Sequence, residues 1–320
     1  MHVSVWRGLS RLGAGALALS LVPACGAGDG GEDGKRPDAG AGTGKSSAAA
    51  SAPSPSPSDD LLSGKVRIAV KYNQPGFNVQ KGVPYYGFEN ELVEFLEKEL
   101  KLDAIPVRID SESREGYLTG EDRTADLVVA TYSITSRREK KVDFAGPYLK
   151  THQGLMVRKG YTGIKSVKDT AGKRICTVTG STSDPGAEDE GPLADAIVET
   201  RATYQECINQ LKQGDFEAVH TDKAVLYGFV EEDKEEALEV LERSDESFNV
   251  GDLQLYGVGL PEGHPAACAR VAEALKKFNE EEWLTKFSLH FPKLRAQGNA
   301  EDTYKPPSGA VVDEYSCDKD

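Results

Sequence analysis

The chain has 320 residues, and its 38 Lys and Arg against 52 Asp and Glu give a formal net charge of −14 at pH 7. A field of this sign opposes nucleic-acid binding, which needs clustered cations to meet the phosphates. The length allows two hydrophobic cores, and beyond residue 25 no apolar run approaches the roughly 20 residues of a membrane-spanning helix.

The first residues have the features of a lipoprotein export signal. Arg7 and Arg11 precede a short apolar stretch, residues 12–22, and Val22-Pro23-Ala24-Cys25 resembles a bacterial lipobox. We predict a signal peptide over residues 1–24 and a diacylated Cys25 that anchors the mature chain to the outer face of the cell membrane. An ordinary secreted protein with an unmodified cysteine is the alternative.

Residues 25–60 consist mainly of Gly, Ala, Ser and Pro with scattered charges. They carry few apolar side chains, so burial cannot offset the loss of chain entropy on folding. This segment is predicted to be a disordered tether between the anchor and the fold.

From residue 61 onward, short apolar runs alternate with amphipathic stretches, which is the pattern of an α/β protein. Hydroxyl-rich segments after two of the runs, Thr131–Arg138 and Gly180–Ser183, are predicted to lead into helices. Two such α/β sets favour two lobes, each a mixed sheet flanked by helices, over a barrel of eight regular units. The predicted strands are residues 66–70, 126–130, 154–157, 173–178, 216–220 and 253–260, and the predicted helices are 88–100, 207–211 and 268–278.

If Cys25 is acylated, four cysteines remain in an oxidising compartment, and three pairings are possible. We favour Cys176 with Cys207, which would join a strand to the next helix. The other pair would be Cys268 with Cys317, which would hold the Pro-rich C-terminal tail on the last long helix. Free buried thiols are the alternative.

The sequence contains no nucleophile elbow, no P-loop, no zinc-protease motif and no dinucleotide-binding motif. Its five His do not cluster at the spacing of metal ligands. We therefore predict no enzymatic activity, no cofactor and no metal, and we look for binding chemistry at the strand ends, where open α/β sheets bind ligands.

Three separated motifs resemble the polar-amino-acid solute-binding proteins of ABC importers, a family with the type II periplasmic-binding-protein fold. They are Gly87-Phe88-Glu89, the segment Asp126–Tyr148, and Thr179-Gly180-Ser181-Thr182-Ser183, within a match that runs from about Lys65 to Phe291. Further motifs are similar to the lipoprotein branch that serves glutamate uptake: residues 70–76, residues 144–149 and the pair His152-Gln153.

The chain departs from the family pattern at two places. Glu89 stands where the family usually has Asp, and residues 184–190 are unusually acidic. We expect neither to touch the core of the pocket, although both could alter the packing of the lobes.

The resemblance implies two α/β lobes that are joined by two crossing strands and close on a ligand. The crossings are expected near 150–154 and 254–258. The first lobe would then comprise residues 61–150 together with a return segment, 255–320, and the second lobe would comprise residues 151–254.

The resemblance also implies the ligand site. Arg138 matches the arginine that grips the α-carboxylate through two parallel hydrogen bonds, and a solvated helix start is the alternative. Asp222 matches the acceptor of the ammonium group, and a helix cap is the alternative. The remaining family positions supply hydroxyl groups, backbone N–H groups and side-chain contacts, and a capping role competes with binding for several of them; they are Thr131, Tyr132, Ser133, Ser181, Thr182, Ser183 and Gln74.

Specificity is expected to come from Lys71 and Arg114. Relatives that bind cationic amino acids typically have an acidic residue at the position of Lys71, and relatives that bind acidic amino acids often place a second arginine at the position of Arg114. If both cations face the cleft, a side-chain carboxylate would be paired, whereas a neutral amide would leave one cation unpaired. Exposed surface cations are the alternative for both, and His220 is expected only to pack at its strand end.

The sequence thus predicts a monomeric, lipid-anchored protein that captures glutamate by lobe closure and delivers it to the permease of an ABC importer. Three alternatives stay open: a transport protein for glutamine, asparagine or aspartate, a sensor lipoprotein that signals to a membrane kinase, and an enzyme on the same fold.

Overall fold

The computed structural model describes residues 61–317, apart from residues 83, 121–122, 187–192, 194 and 308. The predicted signal peptide, Cys25 and the tether to residue 60 lie outside the described residues, as does most of the acidic segment after Gly186. Within the described part of the chain, no helix is both long and apolar enough to cross a bilayer.

The described residues form twelve strands and nine α-helices. They also include a 3₁₀-helix, Val167–Thr170, and a π-helical segment, Phe278–Glu282. The strands are β1 (Lys65–Val70), β2 (Asn73–Gln74), β3 (Asn78–Gln80), β4 (Tyr85–Tyr86), β5 (Asp103–Arg108), β6 (Leu127–Ser133), β7 (Asp143–Arg158), β8 (Arg174–Val178), β9 (Ile197–Arg201), β10 (Ala218–Asp222), β11 (Leu238–Val240) and β12 (Val250–Leu260). The helices are α1 (Phe88–Leu100), α2 (Arg114–Leu118), α3 (Tyr204–Gln213), α4 (Lys223–Glu232), α5 (Pro265–Lys277), α6 (Trp283–His290), α7 (Pro292–Ala296), α8 (Ala300–Tyr304) and α9 (Gly309–Glu314).

Two long antiparallel strands, β7 and β12, carry the chain between the lobes. The main sheet has the order β5-β1-β6-β12-β7-β10-β8-β9, with β11 also paired to β7. The first half of β7 pairs with β12, as at Lys150 and Leu255, and its second half pairs with β10, as at Gln153 and Asp222. The predicted pair of crossing strands is therefore confirmed, whereas the lobe boundaries at residues 150 and 254 stay predictions.

The apolar run of β6 is explained by burial on both of its faces. Leu127 and Val129 point into the large core that α1 and α5 cover, while Val128 and Ala130 point into a smaller core on the opposite face. A strand that alternates between two buried faces needs apolar residues at every position, so it reads as a continuous run rather than as an alternation.

The start of α1 is fixed by Gly87. Its φ of 142° is a conformation that glycine adopts readily and that other residues rarely adopt. A Cβ at this position would also lie only 1.9 Å from the carbonyl oxygen of Phe77. The next residue, Phe88, packs edge-on against Trp283 and Phe287 of α6. Glu89 is thereby carried into the interior of the first lobe, where it is fully buried.

Two of the predicted helix starts are wrong. Residues 131–133 continue β6, and the following turns lead to β7 at Asp143. The amides of Arg138 and Glu139 both bond to the carbonyl of Thr135, which closes a single turn that does not continue as a helix. After β8, residues 181–186 form turns, and the Asp184 carboxylate accepts a hydrogen bond from the amide of Gly180. The predicted strand at 216–220 instead spans Ala218–Asp222.

Both favoured cysteine pairings are confirmed, since Cys176 is bonded to Cys207 and Cys268 to Cys317. The second bond fastens the C-terminal tail to α5. Ser316 strengthens this attachment, because its hydroxyl bonds to both the amide and the carbonyl of Gly146 in β7.

Removing the second disulfide is expected to destabilise the fold. The bond closes a loop of 49 residues, for which the chain-entropy estimate is about 4 kcal/mol of unfolding free energy. The double variant Cys268→Ser, Cys317→Ser should lose stability of this order in urea denaturation followed by circular dichroism. A loss below about 1 kcal/mol would contradict the estimate, and the parent chain under the same oxidising conditions is the control.

Candidate functional site

Six of the predicted site residues meet beside the crossing strands and line one cavity. This cavity is small, about 10 Å³, which is close to the room that a single water needs. An amino acid can therefore enter only if the lobes separate. The cavity is lined by Ser111, Arg114, Thr131, Ser133, Ser181, Thr182, Tyr204, Asp222 and Val225. Tyr132 and Arg138 line a neighbouring cavity of about 340 Å³, which also includes Arg114, whereas Lys71, Gln74 and Ser183 line neither.

Asp222 has a free carboxylate oxygen at this cavity. Its Oδ2 accepts a hydrogen bond of 2.5 Å from the hydroxyl of Tyr256, whereas Oδ1 is buried and has no hydrogen-bond partner among the described residues. Asp222 occupies the cap position of α4, but its side chain makes no capping bond. Burial raises the pKa of Asp222 to about 6, although the Tyr256 hydrogen bond and the charge of Arg114 oppose this shift. The Asp222 carboxylate is thus buried, and one of its oxygens accepts no hydrogen bond from the described residues.

Arg138 lies in the turn between β6 and β7 and is buried rather than solvated. Its Nη1 donates to the carbonyl of Ser133 at 2.8 Å, and its Nη2 donates to the carbonyl of Gly180 at 3.1 Å. A guanidinium has five N–H donors, so these two bonds leave three for a ligand. Burial, followed by the charge of Arg114, lowers the pKa of Arg138 to about 9.

Arg114, the first residue of α2, is equally buried and more fully bonded. Its Nε donates to Ser111, and its Nη1 donates to the carbonyls of Ala130 and Thr131 at 3.1 and 2.7 Å. Its Nη2 donates to Gly180 at 3.0 Å. Four bonds to backbone carbonyls hold the guanidinium in one orientation and leave a single donor.

The two arginines share both a ring and an acceptor. Each guanidinium carbon lies 4.8 Å from the centre of the Tyr132 ring, which attracts cations through its π face. Both arginines also donate to the carbonyl of Gly180, which comes from the second lobe. Gly180 has a φ of +75°, and a Cβ there would lie 2.6 Å from Cα of Glu112. Glycine thus lets the lobes approach closely enough for one carbonyl to bridge them.

Lys71 follows β1 and is buried beside the cavity, where its Nζ donates to the Ser111 hydroxyl at 2.8 Å. Burial first and the charge of Arg114 second lower the pKa of Lys71 well below its ordinary value, while Glu89 and Asp110 oppose the shift. An anionic group beside Lys71 would favour its charged form. Surface exposure, the alternative for Lys71 and Arg114, is excluded by this burial.

Glu89 does not line the cavity, as expected, but it bonds to a residue that does. Its Oε1 accepts hydrogen bonds from the amide of Thr131 at 2.6 Å and from the hydroxyl of Tyr148 at 2.5 Å. Thr131 lines the cavity, and its own hydroxyl accepts a bond from Gln74 at 3.1 Å. The motif around Gly87 therefore ends on a carboxylate that directly supports the site.

The second lobe contributes hydroxyl residues to the cavity, although no helix begins within residues 181–186. The Thr182 hydroxyl accepts a bond from Gln153 at 3.0 Å, and the Ser181 hydroxyl accepts one from the amide of Ser183 at 3.2 Å. The Ser183 hydroxyl is buried without a partner in the described structure. Ser181 and Thr182 line the cavity and Ser183 does not, and the predicted helix-start amides are absent because residues 181–186 form turns.

Several residues of the site were not predicted. Ser111 and Val225 line the cavity, and the Tyr204 hydroxyl, which accepts a bond from Thr221, lies at its edge. Tyr256 orients Asp222 from a crossing strand. His220, as expected, is buried in its strand, and burial lowers its pKa to about 4.

Basic groups outnumber carboxyl groups among the buried residues around the site. Three basic groups, Lys71, Arg114 and Arg138, surround the site together with two carboxyl groups, Glu89 and Asp222. This local excess of basic groups contrasts with the net charge of −14 on the whole chain.

A larger cavity of about 630 Å³ lies away from these groups, between the loop before β12 and the C-terminal helices, and includes Lys150, Lys223 and Tyr304. Lys223 there is already bonded to Glu242 and Asn249, each at 2.6 Å. Over the described part of the chain, no group of three or more His, Cys, Asp and Glu is placed to hold a metal ion.

Comparison with known proteins identifies the fold and its relatives. The family model of bacterial extracellular solute-binding proteins, family 3, matches residues 66–292. The glutamate-binding protein GluB of Corynebacterium glutamicum is 28% identical over 275 residues, which cover 83% of each chain. The ABC transporter glutamine-binding protein GlnH of Bacillus subtilis is 31% identical over 199 residues, 61% of this chain and 68% of that protein.

Solved structures match the same region. An ancestral arginine-binding protein, solved with bound glutamine, superposes with a TM-score of 0.63 at 24% identity and covers 72% of this chain and 99% of that one. The solute receptor for L-cysteine of Neisseria gonorrhoeae has a TM-score of 0.65 at 20% identity, with coverage of 75% and 95%. These likenesses confirm the two-lobed fold that the motifs predicted.

Proposed function

Because the chain belongs to the bacterial extracellular solute-binding proteins, family 3, we propose that it captures a free amino acid, glutamate in preference to others, and delivers it to an ABC import permease. The observation that carries this proposal is the unpartnered Oδ1 of Asp222, which is buried at the same cavity that Arg114 lines and that Arg138 adjoins through its bond to Ser133. An ammonium group and a carboxylate on one small molecule would satisfy both sides.

Each polar group of glutamate has a counterpart in this site. The fork of Arg138 suits the α-carboxylate, and Asp222 suits the ammonium group. Lys71 and the remaining donor of Arg114 suit the side-chain carboxylate. Burying that carboxylate without cations would carry a large desolvation cost, so the paired cations favour glutamate over its amide.

Two relatives named as glutamate-binding proteins of Corynebacterium, at 28% and 29% identity, support this ligand. Glutamine is the second candidate, since the relative from Bacillus subtilis is named as a glutamine-binding protein. Aspartate, asparagine and a sensor role are further alternatives, but no contact in the site favours them over these two.

A thermal-shift screen of residues 59–320 against the twenty amino acids tests the proposal, because a ligand that binds only the folded state raises the melting temperature. The protein should first be unfolded and refolded to remove any bound ligand. A shift led by glutamate is expected. A shift led by glutamine would keep the binding function and reject the ligand, and the absence of any shift would reject both.

The pH dependence of binding gives an independent prediction. Asp222 must be ionised to accept an ammonium group, and its pKa is about 6, as is that of Glu89 in the same region. Affinity for glutamate should therefore fall about tenfold or more between pH 7.5 and pH 5. Isothermal titration calorimetry across this range checks the prediction, and an affinity that is independent of pH would contradict it. Asp222→Asn, expected to bind weakly at all pH values, is the control.

The cellular placement is part of the same proposal. We infer that residues 1–24 are removed, that Cys25 carries the lipid anchor and that residues 25–60 tether a monomeric two-lobed receptor to the outer face of the membrane. Intact-mass analysis of the membrane fraction should show a diacylated N-terminal cysteine, and Cys25→Ser should lack this modification. An unmodified Cys25 in the mature protein would reject the anchor without affecting the ligand site.

A further inference from the structure

A buried carboxylate in the first lobe, that of Glu89, has no contact with the cavity itself but controls a residue that lines it. Glu89 is the second residue of α1 and is fully buried. Its Oε1 accepts the bonds from the Thr131 amide and the Tyr148 hydroxyl, and its Oε2 has no partner among the described residues. Desolvating a carboxylate to this extent is costly, which suggests that the charge does more than start a helix.

The bond from Thr131 maintains an unusual backbone conformation. Thr131 has a φ of +45°, in the left-handed region, which is unfavourable for a residue other than glycine. The Glu89 carboxylate holds the Thr131 amide, while the Thr131 hydroxyl donates to the carbonyl of Ala130 at 2.9 Å and accepts from Gln74. Three contacts thus turn the end of β6 away from an extended path.

The backbone conformation at Thr131 also positions Arg114. The carbonyls of Ala130 and Thr131 belong to the peptide groups on either side of the Thr131 Cα, and both accept hydrogen bonds from Nη1 of Arg114. With Thr131 extended, these two carbonyls would point in opposite directions, as successive carbonyls of a strand do, and could not share one nitrogen. The orientation of the guanidinium therefore depends on the Thr131 conformation.

We propose that Glu89 is a positioning residue for ligand specificity, which holds Thr131 in its left-handed conformation so that Arg114 presents its guanidinium to the side chain of the ligand. This inference rests on the proposed function, because Arg114 is there assigned to the side-chain carboxylate. The charged and titratable groups that face Glu89 are Lys71, Arg114 and Tyr148, so the carboxylate also partly balances the cations of the site.

The test is the ratio of affinities for glutamate and glutamine, measured by calorimetry at pH 7.5. Glu89→Gln keeps the size of the side chain but weakens its acceptor, and it should lower glutamate affinity at least tenfold and glutamine affinity less than threefold. Glu89→Asp restores the carboxylate and should recover most of the ratio. Glu94→Gln, on the exposed face of the same helix, should leave both affinities within twofold of the parent.

Equal losses for both ligands, or an unchanged ratio in a folded Glu89→Gln variant, would overturn the proposal, since a purely structural role would act on both ligands alike. If Glu89→Gln does not fold, Tyr148→Phe removes one of the two bonds to Oε1 and should lower the ratio at least twofold. An unchanged ratio in that variant would also overturn it. Failure of the parent protein to bind any amino acid would instead reject the proposed function.

Discussion

Replacing Arg138 by alanine is expected to abolish amino-acid binding. The guanidinium is buried, and two of its donors are bonded to Ser133 and Gly180, which leaves the remaining fork for a carboxylate. Removing one partner of a buried, hydrogen-bonded charge pair costs about 2–5 kcal/mol, or roughly 30-fold or more in Kd. Titration calorimetry with glutamate measures this loss, and an affinity within threefold of the parent would refute the role of Arg138.

Two further variants separate charge from geometry at this position. Arg138→Lys keeps a cation but not the planar fork, so it should bind more weakly than the parent and more tightly than the alanine variant. Arg137→Ala removes the exposed neighbouring cation and should bind within twofold of the parent. Circular dichroism and melting temperature would show that each variant is folded.

Replacing Lys71 by methionine is expected to invert the ligand preference. Methionine has a similar length but no charge, so a side-chain carboxylate would lose one of its two proposed cations. Glutamate affinity should fall by about 2–5 kcal/mol, while glutamine, which needs no second cation, should change less than threefold. Competition calorimetry with the two ligands measures the inversion.

Lys81→Met is the matched control for this prediction, because the Lys81 side chain is 63% exposed and pairs with Glu232 at a long distance of 3.5 Å. It should leave both affinities unchanged. Equal losses of glutamate and glutamine affinity in Lys71→Met would show that Lys71 supports the fold of the site and does not select the ligand.

The sequence pattern predicted correctly those elements that depend on interactions between residues close together in the chain. The alternation in residues 66–70 and the helical spacing after Gly87 predicted β1 and α1 within one residue. The cysteine pairing was also accessible, because a strand and the helix that follows it are near each other in most α/β folds, as Cys176 and Cys207 are here.

The helix predicted after Thr131 failed for a reason that lies outside that segment. Hydroxyl residues suit both helix caps and strand ends, and the choice depends on what pairs with the backbone. Here Tyr256 and Gly257 of β12 pair with the residues at the end of β6, which keeps residues up to Ser133 in the sheet.

The supporting contacts of the site were inaccessible from the sequence for a similar reason. Glu89 and Thr131 are 42 residues apart, and Asp222 and Tyr256 are 34 apart, so no periodicity links either pair. The acceptor that both arginines share is the carbonyl of Gly180, a backbone group present in every residue. Motifs can indicate which side chains bind a ligand, but they carry little information about the backbone groups that hold those side chains.

The shared carbonyl of Gly180 limits the number of donors that the two arginines can offer to a solute. It accepts one N–H from each arginine, so three donors of Arg138 and one donor of Arg114 stay open. A carboxylate would gain more from these open donors than a neutral acceptor would, because charge-assisted hydrogen bonds are roughly twice as strong as neutral ones. Moving Gly180 away from the arginines would free one more donor on each of them. Separation of the lobes would therefore change the hydrogen-bonding capacity of the site as well as access to it.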